Sequence, residues 1–304
     1  MTIEIRKAQR KQSKLRIGLS SPSGSGKTYG SLLLAKGLTD DWTKVGMIDS
    51  ENGRGDIYSD FGEYSIITLK PPFTPESYIE AIKAFESAGM EVIIIDSTTH
   101  EWEGEGGCLQ LNEKLAVAKY KGNTWSAWSE TTPRHQRFLD AITSSSAHII
   151  TTVRNKIGTV MTEDKRVKKV GIKEVQREGF EYELTLNFNI DRDSHAVIAS
   201  KDNTRLFEGI DPFIITEETG KKLKDWVMSG AEDTDAKEKE EVKASIKSVV
   251  MLVGKDLPWL EKQTGSLNIK TLAELKTIQK QMDALLEKVN AKNKEEADNI
   301  TKKQ

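Results

Sequence analysis

The stretch that most constrains this chain is residues 16–36, RIGLSSPSGSGKTYGSLLLAK. A short apolar run leads into small residues that end in Gly-Lys-Thr, and a helix-forming run follows over residues 29–38. Strand, small-residue loop and helix in this order are the context of a phosphate-binding P-loop, whose backbone N–H groups wrap around a polyphosphate. The sequence therefore predicts an α/β fold with a nucleotide site after its first strand.

The residues of this loop have separate predicted roles. The Lys27 ammonium is expected to reach the β- and γ-phosphates of ATP, and the Thr28 hydroxyl to bind Mg²⁺. The helix N-terminus adds free N–H groups and a partial positive charge. The predicted nucleotide-binding residues are Ser21, Pro22, Ser23, Gly24, Ser25, Gly26, Lys27, Thr28 and Tyr29. Ser21 replaces the usual first glycine, and the alternative is a Gly/Ser-rich turn that contains Gly-Lys-Thr by chance.

Composition limits the remaining classes of function. The 304 residues allow about two domains, and a net charge of −2 creates no global field for nucleic acid or membrane. At this stage the single Cys108 rules out an internal disulfide framework and a cysteine-based zinc site. The four histidines show no metal-binding spacing, and each is expected to be structural or on the surface. Without a secretory signal or a long apolar run, a cytoplasmic location and no membrane partner are expected.

Two predicted strands end in acidic residues. The run over residues 91–97 is β-branched and closes on Asp96, which is the Walker B pattern and places this carboxylate near Mg²⁺. The next residue is Ser97, whereas a second acid there would indicate an AAA-type ATPase. The catalytic carboxylate must then come from elsewhere. Glu51, at the end of the strand predicted over residues 44–51, could polarise a water for attack on the γ-phosphorus, or it could be a surface acid.

The order of these segments resembles the RecA-like recombinase ATPases, particularly the shortened forms carried by bacteriophages. The resemblance covers roughly residues 15–210. It rests, besides the P-loop, on the segments MIDSENGRGDIYSDFG, FTPESYIEAIKAFESAGMEVIIIDS, IITTVRNKIGTVM and IASKDNTRLFEG. It implies a RecA-like core with a mostly parallel sheet, ATP and Mg²⁺ as cofactors, and a site completed by a neighbouring copy in a filament or ring.

The resemblance also implies roles for single residues. Glu51 would be the catalytic base, Tyr58 would pack on the adenine, and Lys201 would be a finger acting in trans. Two positions depart from the family's pattern. Thr152 stands where a glutamine commonly senses the γ-phosphate, and Asn203 stands where a second basic residue is expected. Arg205 lies nearby in the sequence and could substitute for it.

Residues 156–173 form a candidate DNA-binding loop. A local charge of +4 directly follows the strand that carries Arg154, which is typical of a contact with a phosphate backbone, although many basic loops are merely solvated. The predicted DNA-binding residues are Arg154, Lys156, Lys165, Arg166, Lys168 and Lys169, with Lys173 in the same basic run. Because the loop continues from the nucleotide-facing strand, DNA binding is expected to depend on ATP.

The insert over residues 100–146 is a second candidate DNA surface. Its glycine-rich start, residues 101–107, predicts a mobile loop, and the resemblance places a DNA-facing loop here. Tyr120, Lys121, Trp125 and Trp128 could stack on single-stranded bases, or the two tryptophans could pin a helix to the core.

Outside these segments the sequence predicts scaffold. Residues 183–190 and 195–200 should form a hairpin that finishes the sheet, and residues 216–228 a helix with Trp226 buried. Residues 1–14 are either an edge strand through Ile3 and Ile5 or a DNA-contacting arm. The predicted domains are an ATPase core over residues 1–229, a charged linker over 230–241, and a helical module over 242–304 with a frayed tail. The module's helices are expected over 242–253 and 272–289, with a capping box at Thr271 and Glu274.

These observations favour an ATP-dependent, single-stranded-DNA-binding ATPase of phage-type recombination or replication. Two alternatives remain open at this stage. One is a nucleotide-gated scaffold that recruits an annealing, helicase or single-strand-binding protein through its C-terminal helices. The other is a motor ATPase such as a helicase or its loader, and the missing acid after Asp96 argues mildly against loaders of the AAA type.

Overall fold

The structure, a computed structural model, describes residues 7–161, 167–231, 234–265, 267 and 270–301. Within these, the side chains of residues 157–161, 167–172, 234–236 and 292–301 are not part of the description. The chain divides into two compact units, residues 12–230 and residues 231–304 together with 1–11. Within the described part of the chain, no helix combines the length and apolar character needed to span a membrane. The predicted strand through Ile3 and Ile5 lies outside the described residues.

The larger unit is built on one mixed sheet. Its strands are β1 (Arg16–Ser21), β2 (Val45–Asp49), β3 (Ser65–Thr68), β4 (Val92–Asp96), β5 (His148–Met161), β6 (Val167–Glu174), β7 (Leu186–Ile190) and β8 (Val197–Asp202). The order across the sheet is β3-β2-β4-β5-β1-β7-β8, with β6 paired to β5 outside this path. Along this path the strands β3, β2, β4, β5, β1 and β7 are parallel to one another, and β8 pairs antiparallel with β7. The predicted parallel sheet with a terminal hairpin is confirmed.

Helices cover both faces of this sheet. They are α1 (Lys27–Thr39), α2 (Pro75–Ser87), α3 (Thr99–Glu103), α4 (Cys108–Lys119), α5 (Thr124–Ser144) and α6 (Glu217–Met228). Successive residues of β4 supply both cores, since Ile94 packs in the cluster that contains α1 and α6, and Ile93 and Ile95 pack in the cluster that contains α2 and α5. This explains why the sequence of β4 is continuously apolar rather than alternating.

The topology places the functional segments at one edge. In parallel strands the carboxyl ends lie on the same side, so the ends of β1, β2, β4 and the middle of β5 converge. The register confirms this, because Asp49 is paired with Asp96 and Ser21 with Arg154. The strand that separates the P-loop strand from the Walker B strand is therefore β5, which carries Thr152 and Arg154 into the predicted nucleotide site.

Several local predictions need correction. The mobile loop predicted over residues 101–107 begins instead as α3, and a glycine turn follows only after Glu103. The DNA-binding loop predicted over residues 156–173 is a β-ribbon, in which β5 and β6 pair antiparallel from Asn155–Glu174 to Met161–Val167. Trp226 is half-buried at the edge of the core rather than buried.

The smaller unit is a helical module. Its helices are α7 (Thr234–Leu252), α8 (Leu257–Thr264) and α9 (Leu272–Thr301), packed around a core that includes Ile246, Val250, Leu260 and Leu275. The capping box is present, since the Thr271 N–H donates to Glu274 Oε2 at 2.7 Å and the Glu274 N–H donates to Thr271 Oγ1 at 3.3 Å.

Two expectations for this module are wrong in local structure. The residues of the predicted linker are helical from Thr234 onward, because Ala, Lys and Glu favour a helix even without apolar anchors. The polar tail expected to fray from residue 290 continues α9 as far as Thr301.

The contact between α1 and α6 offers a test of the packing. A Cβ at Gly37 would overlap the carbonyl oxygen of Glu217 and would lie 2.7 Å from Gly220 Cα, whereas a Cβ at Gly30 would meet only Ile215 Cδ1 at 3.4 Å. We expect Gly37→Ala to destabilise the larger unit by about 1–3 kcal/mol or more, because two backbones must separate. Gly30→Ala, in the same helix, should be neutral or stabilising by about 1 kcal/mol.

Amide hydrogen exchange of β1 and β5 measures this difference without interference from the second unit. Equal exchange rates in Gly37→Ala and Gly30→Ala would show that the close approach of α1 and α6 is not needed for stability.

Candidate functional site: a phosphate-binding loop beside a buried carboxylate pair

The loop between β1 and α1 holds its backbone in a form that suits an anion. Gly24 and Gly26 have φ angles of 83° and 84°, in the left-handed region that side-chain-bearing residues rarely adopt. Gly26 directly precedes the first helical residue of α1, and no side-chain hydrogen bond caps this helix end. The first N–H groups of α1 are thus positioned to receive a phosphate, as the sequence predicts.

Lys27 is folded back onto the loop itself. Its Nζ donates to the carbonyl oxygens of Ser21 at 3.0 Å and Pro22 at 2.8 Å, and to Ser21 Oγ at 3.1 Å. Ser21 therefore does more than replace a glycine, because its hydroxyl helps to hold the lysine. Burial lowers the pKa of Lys27 to about 8, and the nearby carboxylates of Asp96 and Glu51 only partly oppose this shift.

Asp96 is the centre of the hydroxyl network. Thr28 Oγ1 donates to Asp96 Oδ2 at 2.5 Å, and Thr152 Oγ1 donates to the other carboxylate oxygen. Burial raises the pKa of Asp96, and the hydrogen bonds from Thr152 and Thr28 act in the opposite direction. A hydroxyl beside a carboxylate is a donor set of hard oxygens, which fits Mg²⁺. Thr28 and Asp96 are thus brought together as predicted, and Thr152 reaches the same carboxylate.

Glu51 lies next to this network and is held by two arginines. Its Oε1 accepts from Arg154 Nε at 2.9 Å and Nη2 at 2.6 Å, and its Oε2 lies 2.6 Å from Arg54 Nη1. Ser97 Oγ donates to Oε1 at 3.3 Å. Burial opposes ionisation of Glu51, but the hydrogen bond and charge of Arg154 prevail and hold its pKa below the usual range. Glu51 is therefore a buried carboxylate and not a surface acid.

Two partners of Glu51 change the interpretation of the site. Arg154 is predicted to bind DNA, yet its side chain points to the acid of the nucleotide site. Arg54 is absent from the predictions. The only available signal for it is its position three residues after Glu51 in a glycine-containing turn, and that pattern is common in surface loops.

The predicted adenine-packing residue belongs to an aromatic group. Tyr58 lies in the 3-10 segment Gly55–Phe61, and its ring centroid is 6.2 Å from that of Tyr29 at the start of α1. The Phe61 ring lies 5.1 Å from Tyr29 and 6.1 Å from Tyr58. Tyr29 and Tyr58 are thus neighbours, and packing of Tyr58 on an adenine stays a prediction.

The predicted finger residues make no hydrogen bond to the phosphate site in the described part of the chain. Lys201 Nζ donates to the carbonyl oxygens of Glu181 at 3.2 Å and Tyr182 at 2.5 Å. Arg205 is exposed on the turn after β8, with a φ of 61°. A role for either residue in a neighbouring copy's site remains a prediction.

Three of the predicted DNA-binding lysines, Lys156, Lys168 and Lys169, belong to the strands of the β-ribbon. Lys156 is exposed on β5, 3.5 Å from Glu103 Oε2. Lys168 and Lys169 belong to β6, opposite Val160 and Thr159. Lys165 and Arg166 fall between the two strands, outside the described residues.

The parallel sheet, the P-loop and the paired Thr28 and Asp96 define a P-loop ATPase. Comparison with known protein families agrees, since residues 13–209 match the AAA domain family. This match covers most of the chain, and the protein belongs to the AAA domain family. The absence of a second acid after Asp96 therefore does not exclude the AAA type. A search of curated proteins found no match.

The lowered pKa of Lys27 predicts that nucleotide affinity depends on pH. Polyphosphate favours the charged lysine, so binding takes up a proton whenever Lys27 is neutral in the free protein. We expect the Kd for ATP to be constant below pH 8 and to rise about tenfold per unit above it, up to the pKa in the complex. Titrations of a fluorescent ATP analogue measure this slope. Lys27→Arg is the matched control, because arginine stays charged throughout this range.

Proposed function

We propose that this protein is a DNA-stimulated ATP hydrolase that binds single-stranded DNA and acts in phage-type recombination or replication. The observation that carries the proposal is the contact between Glu51 and Arg154. It joins the acid beside the phosphate-binding loop to the residue from which the basic β-ribbon starts. The two predicted functions therefore meet in one ion pair.

The nucleotide half of the proposal assigns one task to each group. Lys27 and the first N–H groups of α1 bind the phosphates of ATP, and Thr28 with Asp96 holds Mg²⁺. The bound metal ion would neutralise charge that develops on the transferring phosphoryl group. Glu51 orients and polarises the attacking water, for which its carboxylate must be ionised, and its lowered pKa meets this condition.

The arginines on Glu51 make the resting site a poor catalyst. Oε1 accepts from Arg154 and Ser97, and Oε2 is paired with Arg54, so both oxygens are held by cations that compete with a water for the carboxylate. Release of one arginine would expose a carboxylate oxygen. The γ-phosphate is a competing anion for Arg154. Arg154 is thus suited to act as a nucleotide sensor. It lies two residues after Thr152, and Thr152 is the position at which the family commonly has a glutamine sensor.

The position of Arg154 couples this movement to the ribbon. Its N–H donates to Thr99 Oγ1 at 2.9 Å, its carbonyl oxygen accepts from the Val175 N–H at 2.7 Å, and Asn155 begins the pairing with β6. A movement of the Arg154 side chain is therefore transmitted to the point at which β5 and β6 leave the sheet and form the ribbon. ATP-dependent DNA binding follows from this connection.

The charge pattern of the ribbon supports an anionic partner. Lys156 lies directly opposite Lys173 across the two strands. Like charges in this position are destabilising, and the two exposed ion pairs, Lys156 with Glu103 at 3.5 Å and Lys173 with Glu178 at 3.6 Å, offset this only weakly. A phosphate backbone would relieve the repulsion.

The aromatic residues of the insert support single-stranded nucleic acid. Trp102 and Trp128 stack with ring centroids 5.6 Å apart, and Arg177 lies over the Trp128 ring. The Trp125 side chain is 85% exposed, so it does not pin a helix to the core. These residues, with Lys156, line an open cavity of about 580 Å³. Stacked aromatic rings beside a basic ribbon are the usual means of holding unpaired bases.

The resemblance to recombinases extends the proposal to assembly. A second copy would supply Lys201 or Arg205 to the γ-phosphate, and a filament or ring would repeat this contact. The helical module would recruit an annealing, helicase or single-strand-binding protein.

The first test is the ATPase rate with and without single-stranded DNA, with Lys27→Ala as the blank. We expect clear stimulation in the wild type. Neutralising Lys165, Arg166, Lys168 and Lys169 should weaken DNA binding, remove the stimulation and flatten the salt dependence of the affinity by about 0.7 in log–log slope for each lost phosphate contact. Neutralising the partly exposed Lys221 and Lys224 on α6, which form ion pairs with Glu218 and Asp40, is the control and should change none of these.

An ATPase rate that is indifferent to DNA would contradict the proposal and favour the scaffold alternative. An unchanged salt slope in the ribbon variant would remove these lysines and Arg166 from the DNA contact.

The role of Glu51 is tested separately. We expect Glu51→Gln to lower the rate of hydrolysis by about 10²–10⁴-fold, because the amide cannot accept a proton from water, while the Kd for ATP stays the same or falls, because the amide competes less for Arg154. Glu63→Gln, an exposed acid in the same region of the chain, is the matched control. Single-turnover hydrolysis and nucleotide titration separate the two effects. Turnover at the wild-type rate in Glu51→Gln would assign the base to another residue.

A further inference from the structure

Three side chains of different chemistry meet inside the helical insert, away from the phosphate-binding loop. They are Glu101 on α3, Cys108 at the first position of α4, and His135 in α5, and all three are fully buried. Glu101 Oε1 lies 3.0 Å from both Cys108 Sγ and His135 Nδ1, and Sγ and Nδ1 are 3.9 Å apart. Nitrogen, sulfur and oxygen donors thus converge on one point.

The spacing of these atoms fits a metal ion. The three distances place the donors on a circle of radius about 2.0 Å, close to zinc bond lengths of about 2.0–2.3 Å for these ligand types. A small expansion of the triangle would complete the fit. Three protein ligands leave a fourth position, which a water could fill.

The cluster is not saturated by its own hydrogen bonds. The thiol and the imidazole Nδ1 both turn to the same oxygen of Glu101, so the three donors share one point instead of each having a partner of its own. A carboxylate in such a place carries a large desolvation cost. A divalent cation bound by one thiolate, one carboxylate and one neutral imidazole would give a site of zero net charge.

Gln176 supports the ligand arrangement from outside. Its Nε2 lies 3.3 Å from Glu101 Oε2 and donates to the Thr98 carbonyl oxygen at 3.0 Å. Ligating carboxylates are commonly oriented by a second polar residue of this kind. Because Gln176 lies two residues after the end of β6 and Thr98 lies two residues after Asp96, the cluster is linked to both the ribbon and the Walker B segment.

We propose that Glu101, Cys108 and His135 bind a borderline-soft divalent cation, Zn²⁺ in the first place. The ion holds α3, α4 and α5 together. The donor type separates it from the magnesium site at Thr28 and Asp96, because sulfur and nitrogen ligands select zinc and hard oxygens select magnesium. The proposal does not depend on DNA binding or on the role of Glu51.

Metal analysis of the full-length protein is the direct test. We expect about one zinc per chain after purification without chelator, and a lower melting temperature after treatment with a strong chelator that added Zn²⁺ restores. With Co²⁺ as the probe, a thiolate-to-metal charge-transfer band should appear, and it can arise only from Cys108, the single cysteine of the chain.

Variants distinguish a metal site from a simple hydrogen-bonded cluster. Cys108→Ser keeps a donor for Glu101 but removes the thiolate, so it should abolish the cobalt band. Gln176→Ala should weaken zinc affinity by about 10–100-fold. His148→Asn is the matched control, since His148 is also buried, at the start of β5, and should leave metal content unchanged.

The absence of stoichiometric zinc, of a cobalt band and of any stabilisation by Zn²⁺ in the wild type would overturn the proposal. The three residues would then form a hydrogen-bonded cluster only. Because the decisive measurements use the wild-type chain, they remain interpretable even if Cys108→Ser does not fold.

Discussion

The nucleotide site depends on one buried carboxylate. Asp96 receives hydroxyl hydrogen bonds from Thr28 at the start of α1 and from Thr152 in β5, so three elements of the fold are tied at one point. A charge so deeply buried persists only when it is hydrogen-bonded or paired with a cation, and both conditions suit a magnesium site. The arrangement follows from the strand order, because β5 lies between β1 and β4.

A second buried acid, Glu51, lies beside this network. Glu51 has two arginine partners, and one of them, Arg154, stands where β5 leaves the sheet and continues into the ribbon. The free energy of such an ion pair depends on both partners remaining in place, since an unpaired charge in this environment is costly. Under the proposed function, an incoming phosphate would compete with Glu51 for these arginines.

The helical insert shows how residues from separate helices come together to form a candidate metal site. Glu101, Cys108 and His135 have no spacing that indicates a metal site, and a single cysteine argues against one by sequence rules. They meet because α3, α4 and α5 pack together. The stacking of Trp102 on Trp128 has the same origin, and only the structure shows that Trp125 is exposed and does not anchor its helix to the core.

The sequence by itself determined the P-loop, the Walker B strand, the parallel sheet and the terminal hairpin, because glycine conformation and apolar runs are local properties. It also indicated Glu51, through a strand that ends in an acid. Only the tertiary structure decided that Ser21 holds Lys27, that Arg54 and Arg154 share Glu51, and that the basic loop is a ribbon. These features depend on hydrogen bonds and ion pairs, and the strand order and helix packing bring most of their partners together from distant positions.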